Sequence, residues 1–108
     1  MKVTKITDYY RGWFIGNFDP AVLKTEQFEV GLLHHPKGEN WPDHYHKVAV
    51  EYNVLITGKM FIQDRLLTAG DVFVFEPGEI ANPEFLEDCT VLCVKTPSMP
   101  GDKFLVQN

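Results

Sequence analysis

The sequence has few cysteines and no long apolar run. Only two of its 108 residues are cysteine, Cys89 and Cys93, and both lie in the strand-like segment CTVLCV. Four extended residues span about 13 Å, beyond the ~7 Å Cα limit for a disulfide. We therefore predict two small buried thiols in a reducing compartment. No run approaches the roughly 20 apolar residues that span a bilayer, and the N-terminus has no apolar signal region, so we expect a cytoplasmic protein.

Basic residues are also few. Ten Lys and Arg residues stand against fifteen Asp and Glu, which gives a net charge of -5 at pH 7, and the basic residues are scattered along the chain. This distribution argues against a nucleic-acid surface and against an anionic membrane surface. We therefore expect the protein to bind neither nucleic acid nor a membrane. Its partner should be a small-molecule substrate or ligand, small or neutral in charge.

Helical periodicity is missing as well, because no stretch keeps a 3.6-residue apolar period. Short segments rich in Val, Ile, Phe and Tyr recur instead, broken by Gly, Pro, Asn and Asp. The chain is the size of one ordinary domain with one hydrophobic core. We predict a single domain, residues 1–108, of the all-β class, folded as a sandwich or barrel.

Two local patterns give more specific expectations. Residues 57–59 (TGK) and 63–65 (QDR) are typical of tight turns between antiparallel strands. The run from Val72 to Phe75 places two valines on one face of a strand and two phenylalanines on the other. A strand that is apolar on both faces is expected where both faces are buried.

The histidines are clustered, since all four lie between positions 34 and 46. In a strand, His44 and His46 project from the same face. Glu51 lies an odd number of residues from His46, so it joins the pair only if the chain bends, bulges or crosses to the next strand. Two imidazoles and a carboxylate form a common ligand set for Fe, Mn, Ni, Zn or Cu. We predict that these three residues are the ligands of a divalent transition metal.

The spacing GxxxxxHxHxxxxExxxxxxG is met by Gly38, His44, His46, Glu51 and Gly58. With these residues the sequence resembles a cupin. The segment GDVFVFEPG, residues 70–78, is similar to the second cupin motif, although Ala81 stands where that motif has its remaining histidine ligand. The resemblance implies a double-stranded β-helix, or jelly roll, with the motif histidines inside the barrel. It also implies pairing through sheet edges, so we expect a homodimer.

Cupins include several classes of enzyme and also proteins that only bind ligands, so the site has to decide the function. We favour an isomerase-type enzyme for a sugar or other small polar metabolite. In it His44 and His46 are catalytic, the metal polarises adjacent oxygens, and Tyr52 or a nearby carboxylate moves the proton.

Three alternatives stay open at this point. The segment HYHK is similar to the HxHK segment of metal-free sugar-nucleotide ketoisomerases, whose paired histidines act as base and acid. A two-histidine, one-carboxylate set also suits an iron-dependent dioxygenase. Finally, the barrel could bind a metabolite without catalysis.

Overall fold

The computed structural model describes residues 1–107 and confirms the predicted all-β class. Two short 3-10 turns, Ile6–Asp8 and Tyr10–Gly12, precede the strands. The strands are β1 (Trp13–Gly16), β2 (Leu23–Lys24), β3 (Glu29–His35), β4 (His44–Tyr45), β5 (Val50–Thr57), β6 (Lys59–Ile62), β7 (Arg65–Thr68), β8 (Val72–Phe75), β9 (Glu84–Phe85), β10 (Cys89–Thr96) and β11 (Phe104–Leu105). Among residues 1–107, no helix has the length and apolar character needed to cross a membrane.

The strands form three sheets. The largest has six strands in the order β2-β1-β3-β10-β5-β8, and its pairs are antiparallel except β1 with β2. A three-stranded sheet has the order β7-β6-β9, and β4 pairs with β11. Long non-local pairings dominate this arrangement, so the register between strands decides which side chains meet.

The hydrophobic core lies between the largest sheet and the three-stranded sheet. Leu55 on β5 and Val91 on β10 meet Met60 and Ile62 from β6. Residues alternate along β5 and β10, so every second side chain turns inward. Cys89 and Cys93 are among these inward residues, and both are free and buried. The prediction of two buried, unbridged thiols is therefore confirmed.

One of the two predicted turns between antiparallel strands is confirmed, and the other, at residues 57–59, is wrong. Gln63 and Asp64 have φ values of 48° and 59° and close the antiparallel β6–β7 hairpin. Gly58 instead carries the chain from the largest sheet to the three-stranded sheet, because β5 and β6 do not pair. Its φ is +96°, and a Cβ at this position would lie 2.3 Å from the Asp88 carbonyl oxygen. Only glycine fits this crossing without strain.

The expectation that both faces of β8 are buried is wrong. β8 is the last strand of the largest sheet, and among residues 1–107 no second layer covers its outer face. Val72 and Val74 are therefore exposed, by 71% and 40%, whereas Phe75 is buried in the core and Phe73 packs against it. An apolar composition on both sides of the strand thus does not establish two buried faces.

Candidate functional site

A cavity of about 960 Å³ lies inside the fold and is lined by His44, His46 and Glu51. Its wall comes from the largest sheet, from the three-stranded sheet and from the segments around residues 41 and 102. A second cavity, of about 490 Å³, lies beside residues 37–43 and 82–86 and contains none of these three residues. The larger cavity is therefore the candidate site.

The chain crosses between sheets in the segment that separates His46 from Glu51. His44 is in β4, whereas Glu51 is in β5 of the largest sheet. This change of strand compensates for the odd spacing and brings His46 Nε2 to 3.3 Å from Glu51 Oε1. The ring centroids of His44 and His46 are 5.8 Å apart. The three residues thus border one part of the cavity, as the resemblance implies.

Both imidazoles have one ring nitrogen engaged by a backbone carbonyl. His46 donates from Nδ1 to the carbonyl oxygen of Asp102, and His44 Nδ1 lies 3.0 Å from that of Pro42. A carbonyl can only accept, so Nδ1 carries the proton in both rings. In a neutral imidazole, Nε2 is then the free base, which is the arrangement that metal-binding histidines usually have.

Glu51 is surrounded by donors. Asn53 Nδ2 lies 3.0 Å from Oε2, and Lys95 Nζ lies 3.8 Å from the same Oε1 that faces His46. Burial opposes the charge on this carboxylate. The contact with His46, the hydrogen bond from Asn53 and the positive charge of Lys95 together outweigh burial and lower the pKa of Glu51. Glu51 is therefore ionised at neutral pH.

Burial disfavours the charged form of His44 as well, and for an imidazole this means a lower pKa. It lowers the pKa of His44, and the charge of Lys103 adds to this effect, although the contact with the Pro42 carbonyl opposes it. His44 is therefore neutral at pH 7. A neutral imidazole in the cavity is suited to accept a proton or to donate its lone pair to a metal ion.

Asp102 organises the loop that carries His46, and sequence reasoning missed it. Its buried carboxylate accepts the backbone N–H groups of Lys47, Val48 and Ala49 at 2.9, 3.1 and 2.9 Å. Its own carbonyl accepts the His46 ring N–H. One residue thus holds both the loop and the imidazole. The segment TPSMPGDKF offered a local signal, but its contacts lie more than fifty residues away in sequence.

A row of charged residues crosses the sheet on the cavity side. Lys95 on β10 pairs with Glu29 on β3 and with Glu51 on β5. Burial raises the pKa of Glu29, even though Lys95 and His46 favour its charged form. Sequence reasoning did not single out Glu29 or Lys95, because only the strand register places them beside Glu51. Glu29 is a carboxyl group that can hold a proton near the histidines.

Cys93 lies next to this row and is buried on the cavity wall. Burial and the nearby Glu51 carboxylate raise the pKa of the Cys93 thiol well above its usual value. The thiol therefore stays protonated and is a poor nucleophile.

Among residues 1–107, no three His, Cys, Asp or Glu side chains are grouped so that they could hold a metal ion. His46 and Glu51 are close together, and His44 is their neighbour. Ala81, where the cupin motif has its further histidine, is buried on the cavity wall and exchanges two backbone hydrogen bonds with His44. It offers no ligand. The three-residue metal site thus stays a prediction.

The structure corrects the expectation for Tyr52. Side chains alternate along β5, so Glu51 and Asn53 turn inward and Tyr52 turns outward. Tyr52 is 45% exposed and does not line the cavity. It therefore cannot move a proton on a molecule held beside Glu51.

No family model matches this sequence, and no curated protein matches it. Solved structures do resemble it. An uncharacterized conserved protein with a double-stranded beta-helix domain from Klebsiella pneumoniae subsp. pneumoniae has a TM-score of 0.72 and 19% identity, over 99% of this chain and 93% of that one.

Two further structures extend this likeness. The DMSP lyase DddQ from Ruegeria pomeroyi has a TM-score of 0.72 and 16% identity over 87% of this chain, which spans 49% of the lyase. A protein of unknown function with a cupin-like fold from Ralstonia eutropha has a TM-score of 0.61 and 15% identity, over 80% of this chain and 60% of that one. The chain is therefore a small protein with the cupin-like double-stranded β-helix fold.

Proposed function

We propose that the protein is an enzyme that binds a small polar metabolite in the cavity and uses a divalent transition metal held by His44, His46 and Glu51. The observation that carries this proposal is the contact between His46 and Glu51. His46 Nδ1 is committed to a carbonyl, so its Nε2 faces the ionised Glu51 carboxylate at 3.3 Å. A lone pair and a carboxylate repel each other at this distance unless a cation, either a proton or a metal ion, lies with them.

The donor set suits Fe, Mn, Ni, Zn or Cu, since it combines imidazole nitrogens with one carboxylate. The carbonyl contacts of both Nδ1 atoms support this assignment because they hold each ring with Nε2 available. Such a metal would polarise neighbouring carbonyl and hydroxyl oxygens of the metabolite. With Ala81 in place of a fourth ligand, we expect weaker metal binding than at a four-ligand site.

Isomerisation of a sugar or related metabolite is the reaction class that we favour. It needs a group that takes a proton from one carbon and returns it to the next. Glu29 takes over the role predicted for Tyr52, because it is a carboxyl group that lines the cavity and burial raises its pKa, which makes it a better proton acceptor than an ordinary carboxylate. The likeness to a DMSP lyase supports catalysis within this fold.

A second candidate is a metal-free enzyme in which His44 and His46 act as base and acid. The contacts of Glu51 favour this candidate. Lys95 and Asn53 already compensate part of the carboxylate charge, and a lysine ammonium close to the same oxygen repels a metal cation. In this case a proton is the cation between His46 and Glu51.

Elemental analysis of the purified protein separates the two candidates. We expect one equivalent of metal in the wild type and its loss in His44→Ala, His46→Ala and Glu51→Gln. His34→Ala is the matched control, because His34 is an exposed histidine that borders the same cavity but lies outside the predicted ligand set. A metal-free wild type that still isomerises sugar substrates would overturn the metal proposal and favour the second candidate.

Two further measurements address the remaining classes. Oxygen consumption on mixing the iron-loaded protein with candidate substrates would indicate a dioxygenase. Tight binding of a metabolite without turnover would indicate a protein that only binds its ligand. Either result would contradict the isomerase proposal.

We also propose a homodimer in the cytoplasm. The outer face of the largest sheet exposes Tyr52, Val72 and Val74, and β8 is an edge strand that a second copy can cover. The free thiols of Cys89 and Cys93 are in keeping with a reducing compartment. Light scattering should give twice the monomer mass, and Val72→Glu should reduce it to the monomer mass.

A further inference from the structure

Two cations lie close to one aromatic ring at the candidate site. Lys103 Nζ is 4.0 Å and Arg11 Cζ is 5.0 Å from the centre of the Trp41 ring. Both are exposed side chains, and all three residues line the same cavity as His44. The Trp41 ring centre is 6.2 Å from that of His44. This group, the Arg11–Trp41–Lys103 cluster, therefore borders the predicted reacting centre.

The two positive charges of the cluster lack a close carboxylate partner among the described residues. Within residues 1–107, neither Arg11 nor Lys103 has a carboxylate at ion-pair distance. The nearby Glu39 carboxylate already accepts hydrogen bonds from the Trp41 indole and is paired with His35. Burial, Lys95 and Arg11 all lower the pKa of Lys103. The cations thus repel one another, and an anion among them would relieve this repulsion.

Both cations are carried on anchored backbone. Arg11 has the left-handed φ of 52°, and the next residue, Gly12, packs so closely that an added Cβ would lie 2.0 Å from the Leu32 carbonyl oxygen. Lys103 follows Asp102, whose carboxylate is bound by three backbone N–H groups of the His46 loop. The backbone of both residues is therefore fixed, and the contacts with the Trp41 ring restrict the side chains, which reduces the entropic cost of binding an anion.

The cluster is a local group of positive charges in an acidic protein. The protein has a net charge of -5, from which we expected a small or neutral partner. Folding nevertheless brings Arg11 and Lys103 together at Trp41, although they are distant in sequence. The same cavity is also lined by acidic residues, namely Asp19, Glu29, Glu51 and Asp102. The attraction for an anion is therefore confined to the side of the cavity that the cluster borders.

We propose that the Arg11–Trp41–Lys103 cluster binds a carboxylate or phosphoryl group of the metabolite, so that the substrate is an anion such as a sugar acid or a sugar phosphate. This inference rests on the proposed function, because it assumes that the other end of the same molecule lies beside His44, His46 and Glu51. Trp41 supplies a flat apolar surface for the part of the ligand between the two ends.

Calorimetric titration with three probes tests the proposal: D-glucuronate, D-glucose 6-phosphate and uncharged D-glucose. The wild type should bind at least one charged probe at least tenfold more tightly than D-glucose, and added salt should reduce this preference. The charged probe that binds more tightly shows whether the cluster prefers a carboxylate or a phosphoryl group. Equal affinity for all three probes, or no binding of any, would overturn the proposal.

The variants are Arg11→Gln and Lys103→Met, with Lys47→Met as the control. Lys47 also places its Nζ 4.0 Å from an aromatic ring, that of Phe104, but does not line the cavity. Each cluster variant should lose about tenfold in affinity for the charged probe and little for D-glucose, since a charge-assisted contact is removed. Lys47→Met should bind as the wild type does. Unchanged affinity in both cluster variants would refute the assignment.

The metal content and activity of the wild type, measured beside this titration, separate this proposal from the proposed function. If the anion preference persists in a wild type that holds no metal and has no activity, the cluster is correct and the proposed function is wrong. If the wild type holds metal but shows no anion preference, the cluster assignment alone fails.

Discussion

Replacing Asp102 with Asn should destabilise the fold and loosen His46. Oδ1 of Asp102 accepts the N–H of Lys47, and Oδ2 accepts those of Val48 and Ala49. Asparagine keeps one oxygen and presents an NH2 group at the other position. At least one backbone N–H then loses its acceptor and faces another donor.

The size of the effect follows from these contacts. A hydrogen bond to a charged group contributes about 1.5–3 kcal/mol, and a buried donor left without a partner costs about 1–3 kcal/mol. We expect the free energy of unfolding to fall by about 3 kcal/mol, which is a large part of the stability of a domain of this size. Urea unfolding of the two proteins measures this difference directly.

The pH dependence of this difference gives a second measurement. Burial opposes the charge of Asp102, but the three backbone N–H groups and His46 outweigh it and lower its pKa. A lowered carboxyl pKa stabilises the fold above the unfolded-state value, about 4, and this contribution is lost as the pH falls through the folded-state pKa. The difference in free energy of unfolding between the wild type and Asp102→Asn should therefore be constant near neutral pH and should decrease below about pH 4.

Asp64→Asn is the matched control, because Asp64 is an exposed aspartate in the β6–β7 turn, where asparagine tolerates the left-handed φ of 59°. It should change stability by less than about 0.5 kcal/mol. An equally small change in the free energy of unfolding for Asp102→Asn would refute this account of Asp102. A difference from the wild type that stays the same down to about pH 3 would also refute it.

Further variants test the crossing between sheets and the two faces of the barrel wall. Gly58→Ala should lower the free energy of unfolding in urea by about 2 kcal/mol or more, because its Cβ would meet the Asp88 carbonyl oxygen. Gly70 has the same φ of +96° but open space around it, so Gly70→Ala should lower the free energy of unfolding by only about 1 kcal/mol. Tyr52→Phe should leave metal content and activity as in the wild type, since the ring faces outward; a tenfold loss of activity would contradict this. Ala81→His should tighten metal binding about tenfold in a competition titration, because it adds an imidazole beside His44, and unchanged affinity would argue against a metal there.

Several features were predictable because their signals are local. Short segments rich in Val, Ile, Phe and Tyr predicted the strands, and Gln63 with Asp64 predicted the β6–β7 hairpin. The odd spacing between His46 and Glu51 required a bend, a bulge or a change of strand, and the structure has the change of strand. Each of these inferences needs only a few neighbouring residues.

Other expectations failed because burial depends on what covers a face. A tyrosine is a residue type often found in cores and active sites. Side chains alternate along β5, however, so the strand that turns Glu51 inward turns Tyr52 outward. Val72 and Val74 are apolar, but the largest sheet has nothing packed on that side within the described residues. Sequence composition does not specify whether a second layer exists.

Local sequence patterns were enough to predict the strand-rich class, the free thiols and the motif residues His44, His46 and Glu51, because side-chain period and turn chemistry are set within a few residues. The folded chain was needed to see that Asp102 holds the His46 loop, that Glu29 and Lys95 flank Glu51, and that Arg11 and Lys103 meet at Trp41. These partners come from distant parts of the chain. Strand register and sheet packing bring them together, and both arise only when the whole chain folds.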